Sequence, residues 1–217
     1  MAESSSIKPA IIFDFGGVLV DWNPYHLYRH FLGDDPEDTK HFMTEVDFAS
    51  WNLENDRGRP LAQGVLELAS RFPKYREMIL AYDSRYPETI SGPIQPVVEI
   101  LKELKAAGNS LYGLSNWPAD KFAVIRKTNA FFGLFDDIVI SAEVKLVKPD
   151  PAIFQLLLNR IARPAQDCIF IDDSESNIRV AEELGFKTVL FKSAEQLVTE
   201  LKIFGVELPR IQPQARP

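Results

Sequence analysis

Four short stretches of this chain carry side chains of the kinds that do chemistry: Asp14-Phe15-Gly16-Gly17, Ser115-Asn116, Lys148-Pro149 and Asp172-Asp173-Ser174. Together they supply a lone carboxylate, a hydroxyl beside an amide, an ammonium and two adjacent carboxylates. Carboxylate oxygens are hard ligands suited to a small divalent cation. Two adjacent carboxylates facing a third repel strongly unless a cation sits between them. The ammonium, hydroxyl and amide are hydrogen-bond donors that suit an anion. Gly16 and Gly17 permit a tight turn and a close approach of backbone to ligand. Each residue also has an ordinary structural role open to it. Aspartate caps helices and forms turns, yet capping of the helix expected from Glu175 accounts for one residue of 172–174, not three.

The elements that must position these residues are legible in the hydrophobic pattern. Five short apolar runs, 10–13, 111–114, 138–140, 168–171 and 188–191, are continuous rather than alternating, as in parallel strands covered on both faces. Helical patterns fill 96–107, 119–128, 151–161 and 175–184. Pro96 and Pro151 stand in first-turn positions, and Gly108 and Gly185 stand just past the ends. Strands alternating with such helices imply an α/β fold, a Rossmann-like open parallel sheet with right-handed crossovers. In such sheets ligands bind outside the carboxyl ends of the strands. All four chemistry-bearing stretches arrive at that edge.

One interval breaks the alternation. From Asp21 to about Gln95 no strand is expected, only helical periodicity over 24–32, 36–46, 61–72 and 75–86 with many aromatics. The sequence therefore divides into an α/β core of residues 1–20 and 96–208 and a helical cap of residues 21–95, inserted after the first strand. Ser91-Gly92-Pro93 reads as a turn-rich return hinge. The Pro-rich tail, 209–217, is expected to be disordered.

The quoted stretches resemble the haloacid dehalogenase superfamily, in the helical-cap group that holds glucose-1-phosphate phosphatase-like and 2-haloacid dehalogenase-like members. Phe13-Asp14-Phe15-Gly16-Gly17-Val18-Leu19-Val20-Asp21, Leu114-Ser115-Asn116, Lys148-Pro149-Asp150-Pro151 and Phe170-Ile171-Asp172-Asp173-Ser174 follow the family's order and spacing. The resemblance implies a magnesium-dependent phosphatase acting on a small phosphorylated metabolite. Asp14 would be the nucleophile that forms an aspartyl-phosphate. Asp14, the Gly16 carbonyl and Asp173 would supply metal oxygens, with Asp172 a direct or supporting partner. Ser115 and the Asn116 amide would hold phosphoryl oxygens beside Gly16 and Gly17, and Lys148 would offset negative charge.

The chain departs from the pattern at Gly16, where family phosphatases usually carry a second aspartate that moves protons. Loss of such a group typically costs about 10²–10⁴-fold. Three alternatives stay open: a substrate with a good leaving group such as an anomeric sugar phosphate, a stand-in from the cap or water, or a different reaction. Metal-independent 2-haloacid dehalogenases also lack that aspartate, but they do not keep the acidic pair. A weak or inactive member that binds a phosphorylated ligand or a protein is the remaining class.

Composition narrows the field further. With 24 basic against 31 acidic residues the formal charge is −7, so no basic field suits nucleic acid or an anionic membrane. The 1–9 segment is Ser-rich without the apolar stretch of a signal peptide, and the expected location is cytoplasmic. Cys168, the single cysteine, sits in an apolar run and reads as a core residue. Trp51, Glu54, Asp56, Arg57 and Gly58 form a polar-aromatic cluster for the cap to turn toward the site, although small-cap aromatics usually form the cap's own core. His26 and His30 share a helix face without accompanying ligands.

Overall fold

A computed structural model describes residues 8–208. The tail expected over 209–217 lies outside the described residues. The core sheet has five parallel strands: β1 (Ala10–Phe13), β4 (Leu111–Ser115), β5 (Asp137–Ile140), β6 (Cys168–Asp172) and β7 (Lys187–Leu190), in the order β5-β4-β1-β6-β7. β1 lies at the centre and is wholly buried. Its Ile11 pairs with Leu111 on one side and Ile169 on the other. Continuous apolar runs were the expected mark of such strands, because helices cover both faces. Those helices are α6 (Gln95–Ala106), α7 (Ala119–Thr128), the short α8 (Ser141–Val144), α9 (Pro151–Ile161), α10 (Glu175–Glu183) and α11 (Ala194–Ile203).

Between β1 and α6 lies the helical cap, with α1 (Pro24–Leu32), α2 (Pro36–Glu45), α3 (Phe48–Asp56), α4 (Leu61–Arg71) and α5 (Arg76–Ser84). Asn23 and Asp35 cap α1 and α2 through their side chains. Tyr28, Phe42, Phe48, Trp51 and Tyr82 form one buried aromatic cluster, with Tyr28 and Phe42 ring centres 4.8 Å apart. The Trp51 indole is spent there, donating to the Gly64 carbonyl at 3.0 Å.

Within this interval two features differ from the sequence reading. The interval held no expected strand, yet β2 (Val20–Trp22) and β3 (Ile90–Pro93) pair antiparallel, Val20 opposite Pro93 and Asp21 opposite Gly92. Ser91-Gly92-Pro93 is thus part of a strand rather than a bare turn. Three or four residues with Gly and Pro among them show no alternation. Only pairing across the whole insertion makes them a ribbon, the stem on which the cap stands. The second feature is α3, which was not expected. Its apolar residues Phe48, Trp51 and Leu53 are spread round the helix, so no stripe announces it. Asp47 before it is left-handed, with φ 50°, and gives no side-chain cap.

The loop after β1 is anchored from below. Phe15 packs against Phe122, Phe132 and Phe135 with ring centres 5.0–5.6 Å away. That ring lies across Gly113 of β4, where a Cβ would stand 2.3 Å from Phe15 Cζ. The Phe15 carbonyl accepts from the amides of Val18, Leu19 and Val20. The result is a fixed tight turn that carries Asp14 on one side and the cap stem on the other.

Candidate active site

Asp14 immediately follows β1, and its amide donates to the Ile171 carbonyl of β6 at 2.9 Å. This bond sets Asp14 beside Asp172, the last residue of β6, and Asp173 after it. One carboxylate oxygen from each of the three lies within 4.8 Å of the others, the one such acidic cluster among the described residues. Lys148 is buried between two of them, its Nζ 2.9 Å from Asp14 Oδ1 and 2.6 Å from Asp172 Oδ2.

Asp172 is fully enclosed. Its Oδ1 accepts from the Ser174 amide at 2.8 Å and from Asn177 Nδ2 at 3.0 Å, and Oδ2 also receives Asn177 at 3.1 Å. Both oxygens are therefore already engaged by donors. Ser174 makes no side-chain cap to α10, so the capping role open to these residues is not the one they play. Ser115 ends β4 and is buried. The Asn116 side chain takes both backbone groups of Lys148, accepting from its N–H at 2.8 Å and donating to its carbonyl at 2.9 Å. Gly17 adopts φ +74°, and a Cβ there would stand 2.2 Å from Asp173 Oδ2. Only glycine leaves room for that carboxylate.

These residues open onto a cavity of about 510 Å³. Asp14, Gly16, Gly17, Ser115, Asn116 and Asp173 form its core side, and Trp22, Asn52, Asp56 and Tyr86 close it from the cap. A larger groove of about 610 Å³ lies between α1, α2 and α3 and contains none of the core residues. Among the described residues no helix is long and apolar enough to cross a membrane.

Burial controls the charges. It pushes the Asp14 carboxyl up to about 7, with Lys148 opposing and Asp172 adding to the rise. Burial likewise raises Asp173, with Asp172 contributing. Burial pulls the Lys148 ammonium down, but Asp14 and Asp172 outweigh it and hold the group above its usual range. Asp56 is raised to about 7, by burial first and then by the Asp14 charge.

The donor set fits a magnesium ion. When all three carboxylates are ionised, the one ammonium leaves a net charge of −2, which a divalent cation neutralises. Asp14 Oδ1 is buried with no aligned hydrogen bond of its own, so its contact with Lys148 is chiefly Coulombic. Hard oxygens with spare lone pairs at one point are what magnesium binds.

Other residues fall outside the site. Trp51 lies in the cap core, Glu54 and Arg57 pair at the surface at 2.6 Å, and Gly58 turns against the Ala142 carbonyl. His26 and His30 sit near Asp21 and Glu88. The Cys168 thiol is buried and pushed up to about 11, the state of an inert thiol. The sequence reading passed over Asn177 and Asn52 and singled out Asp56 only as one of a cluster. The available signal for Asn177 was a polar residue on the buried side of a helix just after an acidic pair.

A parallel sheet with this site at its carboxyl edge, beneath inserted helices, defines a Rossmann-like α/β fold. A family model for haloacid dehalogenase-like hydrolases matches residues 8–185, and the chain belongs to that family. It is 29% identical over 182 residues to the sesquiterpene phosphatase astK of Aspergillus oryzae, covering 81% of this chain and 86% of the relative. It is 22% identical to a phosphorylated carbohydrates phosphatase of Thermotoga maritima, covering 83% of each. A HAD family enzyme of Bacteroides thetaiotaomicron shares the fold, with TM-score 0.70, 21% identity, and 86% and 95% of the two chains covered. The same enzyme solved with magnesium and inorganic phosphate superposes with TM-score 0.64 at 23% identity, covering 86% and 95% of the two chains.

Proposed function

We propose that this hydrolase is a magnesium-dependent phosphatase that removes phosphate from a small phosphomonoester, with sugar phosphates the leading class, through an aspartyl-phosphate on Asp14. One observation carries the reading: Asp14 sits in a single acidic cluster with Asp172 and Asp173 while Lys148 bridges it to Asp172. A dehalogenase needs the nucleophile but has no use for two further carboxylates around it. Phosphatases among the relatives and the magnesium and phosphate complex of a fold neighbour support the same reading.

Asp14, Asp173 and the Gly16 carbonyl would hold the magnesium, which when bound neutralises charge on the phosphoryl oxygens. Asp172 holds Lys148 and is itself held by Asn177 and the Ser174 amide. Ser115 and the backbone amide of Asn116 donate to phosphoryl oxygens, and Gly16 and Gly17 let the backbone come close. Asp14 attacks phosphorus in line with the leaving oxygen, and water then releases phosphate. Residues 21–95 act as the cap that selects the substrate. Its Trp22, together with core Trp117, gives flat apolar faces to the cavity, while Asn52 and Asp56 give polar groups. That pairing suits a sugar.

The test is a phosphometabolite panel with and without magnesium, including sugar phosphates and prenyl phosphates. A 2-haloacid set and an Asp14→Asn control run beside it. Magnesium-dependent phosphate release that Asp14→Asn removes supports the reading. Metal-independent halide release overturns it. No turnover anywhere, with phosphate still bound, points to a binding protein.

A further inference from the structure

The family position for a proton-moving aspartate is Gly16, and no side chain there reaches the leaving group. A Cβ at Gly16 would meet only Trp117 Cζ3 at 3.7 Å and Trp22 Cβ at 3.8 Å. These are ordinary contacts, so the gap is not forced by crowding. Across the cavity, Asp56 at the end of α3 lines the same space as Asp14 and Gly16. We propose that Asp56, supplied by the cap, is the general acid and base of this enzyme, giving a proton to the leaving-group oxygen and taking one from the hydrolytic water. The proposal rests on the phosphatase reading above.

Three observations support it. Asp56 is 7% exposed, yet among the described residues no cation pairs with its carboxylate. The two arginines nearest it in the sequence are engaged elsewhere: Arg57 with Glu54 at 2.6 Å, and Arg59 with Asn55 and the Trp51 carbonyl at 2.9 and 2.7 Å. A buried acid without a counter-ion is costly, and the one hydrogen bond to this carboxylate among the described residues comes from the neutral Asn52 amide. The bond that fastens the helix end to the core uses the Asp56 backbone, whose carbonyl accepts from Ser141 Oγ at 2.6 Å.

The second observation is orientation. Tyr82 donates its hydroxyl to Asn52 Oδ1 at 3.1 Å, which turns the Asn52 amide so that Nδ2 donates to Asp56 Oδ2 at 3.0 Å. Oδ2 is thereby the acceptor, and the proton of the neutral acid belongs on Oδ1, which takes no hydrogen bond among the described residues. The third is fixation. Ser141 also accepts from the Trp117 amide at 3.0 Å, so one hydroxyl ties the Asp56 backbone to the residue following Ser115-Asn116. The groups around the Asp56 carboxyl are Asp14 and Lys148 from the core and Tyr82 and Tyr86 from the cap. Burial and the Asp14 charge hold it at about 7, so both protonation states are present near neutrality, as the role requires.

The steps balance. An Asp14 oxygen bonds to phosphorus as the bond from phosphorus to the ester oxygen breaks, and that oxygen leaves as an alcohol with the Asp56 proton. Water then attacks the aspartyl-phosphate while Asp56 takes its proton. The bond from Asp14 to phosphorus breaks and orthophosphate departs, with both carboxyl groups restored.

The experiment compares Asp56→Asn with the unaltered protein on two leaving groups. One is the fastest alkyl ester among glucose 6-phosphate, glycerol 3-phosphate and erythrose 4-phosphate. The other is p-nitrophenyl phosphate, whose phenolate departs without a proton. The expected result is a fall in the phosphoryl-transfer rate of about 10²–10⁴-fold on the alkyl ester but less than about tenfold on the aryl ester. The limb near pH 7 in the alkyl-ester profile also disappears. The phosphoryl-transfer step is read from the burst of released alcohol or phenol, before the shared hydrolysis of the aspartyl-phosphate. An equal fall on both esters in that step, or no fall on the alkyl ester, overturns the assignment of Asp56 while leaving the phosphatase standing. If the unaltered protein releases phosphate from neither, the phosphatase reading itself fails. Turnover of the aryl ester by the variant shows at the same time that it is folded.

Discussion

Lys148 is held at both ends by the groups it serves: Asn116 bonds its backbone N–H and carbonyl, and Asp172 takes its Nζ at 2.6 Å. The ammonium is thus delivered to Asp14 with little freedom left. Lys148→Met keeps the apolar stem but leaves two buried carboxylates without their counter-charge. Removal of one partner of a buried pair costs about 3–5 kcal/mol. Urea titration of the metal-free variant is expected to show a loss of that order. A loss below about 1 kcal/mol would mean that the pair is already neutralised by protonation.

Gly17→Ala tests the metal reading without touching a ligand. The φ of +74° and the 2.2 Å approach to Asp173 Oδ2 both oppose a methyl group. The methyl displaces the Asp173 carboxylate, while Asp14, Ser115 and Lys148 keep their supports. Magnesium affinity, measured by calorimetry, is expected to weaken by about 10–100-fold, as when the support of a ligand is disturbed. Unchanged affinity would remove Asp173 from the proposed ligand set.

Gly113→Ala reaches the site through the fold. Its Cβ would stand 2.3 Å from Phe15 Cζ and 3.3 Å from Ile138 Cγ1, inside the packing that anchors the Asp14 turn. Overpacking of this kind costs about 1–3 kcal/mol. Because Phe15 is the neighbour of both Asp14 and Gly16, turnover should fall along with thermal stability. A variant that loses stability yet turns over normally would show that the turn is positioned by its own backbone bonds instead.

The sheet could be read from the sequence because its strands are buried on both faces, so the runs around Ile11, Leu111 and Ile169 needed no partner to be recognised. The ends of those strands carried Asp14, Ser115 and Asp172, and topology alone brought them to one edge. The β2–β3 ribbon was not legible because Val20 and Pro93 make a strand only by finding each other across the whole cap. The unstriped α3 was missed for a similar reason, and with it the standing of Asp56. In the sequence Asp56 is one acid among charged neighbours. Its importance arises from tertiary burial, from the engagement of Arg57 and Arg59 elsewhere, and from an Asn52 side chain oriented by distant Tyr82. Helix α11 was passed over although Leu197, Val198 and Leu201 form a buried stripe, a pattern that was available.

The buried acids also fix how stability depends on pH. Asp56 rises from an ordinary value of 3.8 to about 7 on folding, because burial disfavours its charge. The folded state therefore binds a proton that the unfolded state has released between those two values, and stability falls as pH rises through that window. The slope is at most about 1.4 kcal/mol per pH unit for one such group. Above about pH 7 the loss is complete and the contribution is flat. Asp14 moves in the same direction, with its shift also to about 7, so the metal-free protein should be most stable in mild acid. Asp56→Asn removes one of the two contributions. Its stability relative to the unaltered protein should therefore improve steadily from about pH 4 to pH 7 and then stay constant. Urea unfolding of both proteins across that range, in the presence of a chelator, measures the difference directly. Parallel curves would show that Asp56 ionises in the fold as it does in water, and would leave it unable to hold a proton at neutral pH.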